Sequence, residues 1–160
     1  MKLIISLSLF IITFSSFAAK DICNYDVFSY KSCKTLAEKN DALAQNVLSM
    51  LYYFGIGITR NPNEGLKWIE KSANNGNAIA QNNLGTLYLN GTYPLKKDLK
   101  KSFEWFRKSA EQGVAEAQYN LASSYHNAKG VEKNDEDAFY WYQKAADQNN
   151  TAVIPHLIQE

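Results

Sequence analysis

Three stretches of this chain repeat one another, and the period of that repetition restricts the fold more tightly than any other feature. Residues 42–77, 78–114 and 115–150 align from end to end. Each opens on an Ala-Gln pair, Ala44-Gln45, Ala80-Gln81 or Ala117-Gln118, and runs on to Leu48, Leu84 or Leu121 and then to Tyr52, Tyr88 or Tyr125. Alanine, leucine and tyrosine recur every four residues, which is one stripe of a helix. The second half of each unit carries Trp68, Trp105 or Trp141, with Ala73, Ala110 or Ala146 five residues later, the stripe of a second helix. Gly55 and Gly57, Gly91, and Gly130 lie between the two helices, and Asn61-Pro62, Asp98 and Asn134 precede the second one in N-cap or N1 positions. Gly76 and Gly113 close it.

A helical hairpin of this size has an apolar side that it cannot bury alone, so the units must stack. The expected fold is all-α: a right-handed α-solenoid of three helix-turn-helix repeats with an N-terminal capping helix. Ser49, Gly85 and Ala122, each next to the stripe leucine, let the paired helix approach closely, and the tryptophans fill the space between hairpins. Phe103, Phe106, Phe139 and Tyr142 flank the tryptophans and are expected to pack as well. Ahead of the repeats, Ala37-Glu38-Lys39-Asn40-Asp41 echoes Ala73-Asn74-Asn75-Gly76-Asn77, so residues 32–41 read as an unpaired second helix within a cap spanning residues 19–41. After them, residues 151–160 begin as another hairpin would, but Pro155 removes a backbone donor and points to an irregular cap.

Residues 1–18 join Lys2, a Leu/Ile/Phe run over residues 3–12 and Ser15-Ser16-Phe17-Ala18, the layout of a secretory signal peptide. Ser16 and Ala18 put small side chains where the peptidase reads, so the mature chain is expected to start at Ala19. It then holds 16 basic and 16 acidic side chains, a poor balance for a nucleic-acid partner. Cys23 does not follow a lipobox. Cys23 and Cys33 are the only cysteines, exported and near the end of the stack, and are expected to form a disulfide.

The order A-x-A-Q-x-x-L-[GSA]-x-x-Y, then glycines, then W-x-x-[KR]-[SA]-A-x-x-G resembles the Sel-one-like repeat, a relative of the tetratricopeptide repeat. Pro94 is inserted in the middle loop, Ala128 replaces a loop glycine and Asn149 replaces a closing glycine. In such hairpins the first helix lines a concave groove. The resemblance thus assigns to that face Leu43, Asn46, Met50 and Tyr53; Ile79, Asn82, Thr86 and Leu89; and Glu116, Tyr119, Ser123 and His126. Asn46 and Asn82 stand where related grooves hold a peptide backbone through an amide; simple solvation of both is the other reading.

Catalytic signatures do not appear. His126 and His156 are the whole histidine supply, and no zinc pattern, G-x-S-x-G elbow or nucleotide-binding glycine string can be written. No metal or cofactor is expected. Asp135-Glu136-Asp137 suits a helix start, and the basic run from Lys96 to Lys101 suits a solvated convex edge. The chain therefore reads as an exported, monomeric, non-enzymatic module, periplasmic or secreted, that binds a peptide or protein on its concave face or at a loop edge such as Tyr93-Pro94. What the resemblance implies for its role is a periplasmic immunity or adaptor protein. Two alternatives are an enzyme like the cysteine-rich relatives with β-lactamase activity, which carry a cysteine pair in each repeat, and a secreted host-interaction factor.

Overall fold

The computed structural model describes residues 30–148, and within them the chain forms seven α-helices and no strand. They are α1 (Tyr30–Glu38), α2 (Ala42–Phe54), α3 (Pro62–Asn74), α4 (Ala78–Asn90), α5 (Leu99–Glu111), α6 (Ala115–His126) and α7 (Asp135–Ala146). The pairs α2/α3, α4/α5 and α6/α7 are hairpins, and each packs on the next in chain order, giving an α-solenoid. The expected signal peptide over residues 1–18, Cys23 and residues 149–160 lie outside the described residues.

Capping fixes where each helix starts. Asp41 and Asn77 accept from the backbone N–H of Ala44 and Ala80 at 2.7 and 2.8 Å. Asn61, Asp98 and Asn134 do the same for Glu64, Lys101 and Asp137. Each satisfies a donor that the first helical turn leaves open. Val114, ahead of α6, supplies no such bond. The stripe tyrosines hold the hairpin shut through their backbone: the N–H groups of Asn61, Asp98 and Asn134 donate to the carbonyls of Tyr52, Tyr88 and Tyr125 at 2.9, 2.9 and 3.2 Å.

The core is a series of clusters, each shared by adjoining helices. Ile69 and Ala73 of α3 meet Ala80, Leu84 and Tyr88 of α4, with Trp105 packed against them. Phe103, Phe106 and Ala110 of α5 meet Ala117 and Leu121 of α6, with Trp141 beside them. The tryptophans thus sit between hairpins. Gly85 is required at its place, because a Cβ there would lie 2.7 Å from the Phe106 ring. At the N-terminal end α1 covers α2, with Cys33 and Ala37 wholly buried against Ala44, Leu48 and Leu51. The Tyr30 and Tyr52 hydroxyls lie 2.9 Å apart, their rings edge to face. Cys33 is not a free thiol.

Phe139 departs from expectation. It shares its place in the unit with Leu66 and Phe103, yet it is 52% exposed whereas Phe103 is 9% exposed. The difference is positional: Phe103 is covered by Tyr125 of the following hairpin at 5.3 Å between ring centres, and no described helix follows α7.

The loop of the third hairpin contains a second irregularity. Gly55 and Gly91 leave the first helices at φ 68° and 65°, and Ala128 takes the same left-handed conformation at φ 53°. An L side chain costs about 1–2 kcal/mol there, partly offset by the looser unfolded state of glycine. Ala128→Gly should therefore stabilise the chain by about 0.5–1 kcal/mol and raise Tm by roughly 2–5 °C, read by thermal and urea unfolding. An unchanged or lowered Tm would contradict that account.

Candidate functional site

The amides decide which face of the stack is available. Gln81 of α4 donates to the Ala73 carbonyl at the end of α3 at 3.0 Å and accepts from Gln112, just past α5, at 2.7 Å. Gln45 repeats this with Ala37 at 3.0 Å and Asn75 at 2.9 Å. Gln118 repeats it again with Ala110 at 3.3 Å and Gln148 at 2.8 Å. Each glutamine is buried, and each ties one second helix to both helices of the next hairpin. The carbonyl it meets lies at a helix end, where it also accepts the backbone N–H of Asn40, Gly76 or Gly113, and the glutamine takes up its second lone pair. Within the hairpins, Ser72 and Ser109 donate to the carbonyls of Ala42 and Ala78. Ala145 occupies the corresponding place in the third unit and has no hydroxyl.

A second row of amides joins the first helices. Asn83 donates to Asn46 at 3.4 Å and Asn120 donates to Asn82 at 3.0 Å. This corrects the expectation for the concave face, because Asn46 and Asn82 are each only 2% exposed. They cannot hold a peptide; neighbouring first helices lie side by side and seal that angle of the helical wheel. Met50 is buried too, within the cluster of Leu48 and Leu51.

The remaining members of the row keep some access to solvent. Leu43, Ile79, Thr86, Leu89, Tyr119 and Ser123 are half-buried, and Glu116 and His126 are exposed. Tyr119 leans on the Tyr142 ring at 5.4 Å. Thr86 donates to the Asn82 carbonyl at 3.1 Å. His126 Nδ1 lies 3.0 Å from the Asp135 carboxylate, which hydrogen bonds from Lys133 and His126 hold below the usual carboxylate range. Tyr53 is half-buried over Gly65, where a Cβ would come within 2.6 Å of its ring. Its hydroxyl is buried with no hydrogen-bond partner among the described residues, and burial, then the Glu70 charge, pushes its pKa up to about 12.

The half-buried amides Asn83 and Asn120 border this face, although the sequence pattern points to Asn46 and Asn82. Their signal is their shared place in units two and three, one residue beyond the place that Asn46, Asn82 and Tyr119 hold. A further repeated contact is not evident from the spacing alone: Lys71, Lys108 and Lys144 stand over Trp68, Trp105 and Trp141 at 5.3, 4.2 and 5.4 Å. These cation–π contacts lie over the faces of the rings that fill the hairpin junctions. Among the described residues no three His, Cys, Asp or Glu side chains gather as a metal site. Among the described residues the most exposed large apolar side chain is Tyr93, at 67%, in the loop that contains Pro94. The surface is thus one of weakly polar contact.

The Sel1 repeat family matches residues 42–77, 78–114 and 115–150. The fold is similar to the crystal structure of a Sel1 repeat protein from Oxalobacter formigenes, at 35% identity and a TM-score of 0.76, over 79% of this chain and 95% of that one. It is also similar to cysteine rich protein B of Helicobacter pylori, at 20% identity and a TM-score of 0.60, over 81% of this chain and 97% of that one. Among curated proteins none matches.

Two substitutions test these roles. Gln81→Leu should destabilise by about 1–2 kcal/mol, because it removes two hydrogen bonds while the Ala73 carbonyl keeps the Gly76 N–H and the exposed Gln112 amide keeps solvent; urea unfolding reads the loss, and a change below about 0.5 kcal/mol would count against the relay. Tyr53→Phe should leave stability unchanged or raise it, since it removes an unpaired buried hydroxyl. The raised folded pKa means that the fold accepts Tyr53 only as the neutral phenol, so its ionisation costs no stability below pH 10 and lowers stability as pH rises from 10 towards 12. Tyr53→Phe should accordingly lessen the alkaline loss of stability, measured as Tm against pH.

Proposed function

The chain belongs to the Sel1 repeat family, and from that premise we propose that it is an exported, non-enzymatic module that binds a peptide or protein, of the periplasmic immunity or adaptor kind. One observation carries this reading. The side chains that hold the hairpins together recur from unit to unit, whereas those left accessible on the first helices do not. Leu43, Ile79 and Glu116 share one place in the unit, and Tyr53, Leu89 and His126 share another. Positions that keep some solvent access and differ between units suit a surface that reads a partner one repeat at a time.

The chemistry of the row suggests how a partner lies on it. Units one and two offer Leu43, Ile79 and Leu89, which favour apolar side chains. Unit three offers Glu116, Ser123 and His126, which favour a polar or basic end. Asn83 and Asn120 add amide groups along the row, and an amide both donates and accepts. Export is supported by the leader-like residues 1–18 and by Cys33, for which Cys23 is the partner we propose.

Affinity capture from envelope extract and from secreted material tests the reading, with wild type beside Ile79→Glu/Ser123→Arg and, separately, Tyr93→Ala. The double variant alters half-buried surface positions, and circular dichroism with Tm confirms its fold. The expected outcome is one protein retained by wild type and Tyr93→Ala and depleted at least tenfold by the double variant. Retention by the double variant with loss in Tyr93→Ala would move the site to the loop edge. No specific capture by any form would remove the main support for a binding module.

A further inference from the structure

The loops of the first two hairpins present apolar side chains to solvent on one edge of the stack. Helices α2 and α4 both end in a left-handed glycine, Gly55 at φ 68° and Gly91 at φ 65°. They lie side by side, with Asn83 donating to Asn46, so their loops leave the stack on the same edge. The roots of the two loops converge: Tyr53, just before the first, and Leu95, within the second, pack against one cluster of Ile69, Ala80, Leu84 and Tyr88. Beyond those roots the tips project. Phe54 is 59% exposed, Ile56 36% and Tyr93 67%; among the described residues the other exposed large apolar side chains, Phe139 and Tyr140, lie on α7. Apolar side chains gathered on a protruding edge mark a contact surface more often than isolated ones do.

The same edge is basic. Arg60, Lys96, Lys97 and Lys100 are exposed, and none of them forms an ion pair with a described residue. Arg60 Nε donates to the Tyr53 carbonyl at 2.8 Å, which fixes this cation beside the end of α2. The acidic groups nearby are already engaged: Asp98 caps α5 and pairs with Lys101 at 3.7 Å, and Glu64 pairs with Lys67. The third loop differs on both counts. Lys129 and Lys133 are outnumbered there by Glu132, Asp135, Glu136 and Asp137, and among its described residues no large apolar side chain is exposed. Projecting apolar tips and positive charge coincide on two loops and are both missing from the third.

We propose that the edge formed by the first two hairpin loops docks on the surface of an anionic phospholipid bilayer, with Ile56 and Tyr93 entering the headgroup layer and Lys96, Lys97 and Lys100 meeting lipid phosphates. Tyrosine suits that depth because its ring is apolar and its hydroxyl stays wet. Lysine suits it because the long stem lies along apolar surface while the ammonium reaches the phosphate. A protein partner would call for donors and acceptors fixed in direction, whereas unpaired lysines and singly projecting tips match a fluid surface that adapts to them. No helix among the described residues is long and apolar enough to cross a membrane, so the attachment is peripheral. The acidic third loop is repelled by the same lipids, which tilts the stack so that its first two units approach the bilayer. This surface is separate from the first-helix face and leaves that face open to a partner.

Co-sedimentation with vesicles tests this on residues 19–160, without the leader-like segment whose own apolar run would bind lipid. The probes are vesicles of phosphatidylcholine alone and of phosphatidylcholine mixed with phosphatidylglycerol, at low and high salt. The chain should bind the mixed vesicles at low salt, and its affinity should fall at least tenfold on pure phosphatidylcholine, at high salt, in Lys96→Glu/Lys100→Glu and in Ile56→Ser/Tyr93→Ser. Lys31→Glu/Lys39→Glu, an equal change of charge away from the edge, and Ile79→Glu/Ser123→Arg, on the first-helix face, should bind as wild type does. Circular dichroism with Tm confirms the fold of each variant. On mixed vesicles, hydrogen exchange should slow over residues 54–60 and 91–100 and stay unchanged over residues 127–137. Failure of the wild type to sediment with either vesicle would overturn the proposal and leave the edge to an acidic protein. Equal loss in Lys31→Glu/Lys39→Glu, or undiminished binding by both edge variants, would overturn it as well, since the attraction would then not belong to this edge.

Discussion

The stack depends on one buried contact repeated three times: a glutamine side chain that gives its N–H to the end of the previous hairpin and takes one from the end of its own. Burying an amide without partners costs more than a made hydrogen bond returns, so the glutamine is tolerated only when both neighbours are in place. That makes it a register device. Apolar surfaces alone would let one hairpin slide along another by a helical turn. The pairing of Gln81 with Ala73 and Gln112 admits a single setting, and the leucines, tyrosines and tryptophans pack in the positions that this setting leaves them.

Charge has a small part in the architecture. Ion pairs such as Lys34 with Glu38 and Arg107 with Glu111 are solvent-exposed and four residues apart on one helix, where each contributes a few tenths of a kcal/mol, and Asp135 with Lys133 and His126 is exposed as well. The interior is joined by neutral amides and hydroxyls. Stability should consequently respond little to salt, and under the proposed reading a partner on the first-helix face would depend on apolar contact and amide groups more than on long-range attraction.

Much of this was legible in the sequence because it obeys local rules. Gly55, Gly91 and Gly113 stand where the backbone turns left-handed, Asn61, Asp98 and Asn134 cap as their type and place suggest, and Gly85 leaves room for Phe106. The candidate surface was less legible. A helical wheel places Asn46 and Asn82 on one angle of a helix, but whether that angle is open depends on how closely the next first helix lies, and Asn83 and Asn120 close it. Phe139 shows the converse. Its type and place match Phe103, yet its exposure is decided by the neighbour on its far side, which no pattern within the unit contains. The repeated amides at Gln45, Gln81 and Gln118 and at Asn75, Gln112 and Gln148 were visible as letters, but their pairing joins residues about thirty apart.

The third hairpin differs from the first two in ways that share a direction. Val114 gives α6 no side-chain cap, Ala128 bears a side chain where the others turn through glycine, Ala145 lacks the hydroxyl of Ser72 and Ser109, and Tyr119 interrupts the asparagine row. Each omission removes a small local restraint, so the third hairpin leans more on its apolar contacts, among them the Tyr119–Tyr142 ring pair, than the two before it. Its loop is drawn together instead at Asp135, which meets both His126 and Lys133, so the same closure of a hairpin is reached by side-chain contacts where the other units use glycine.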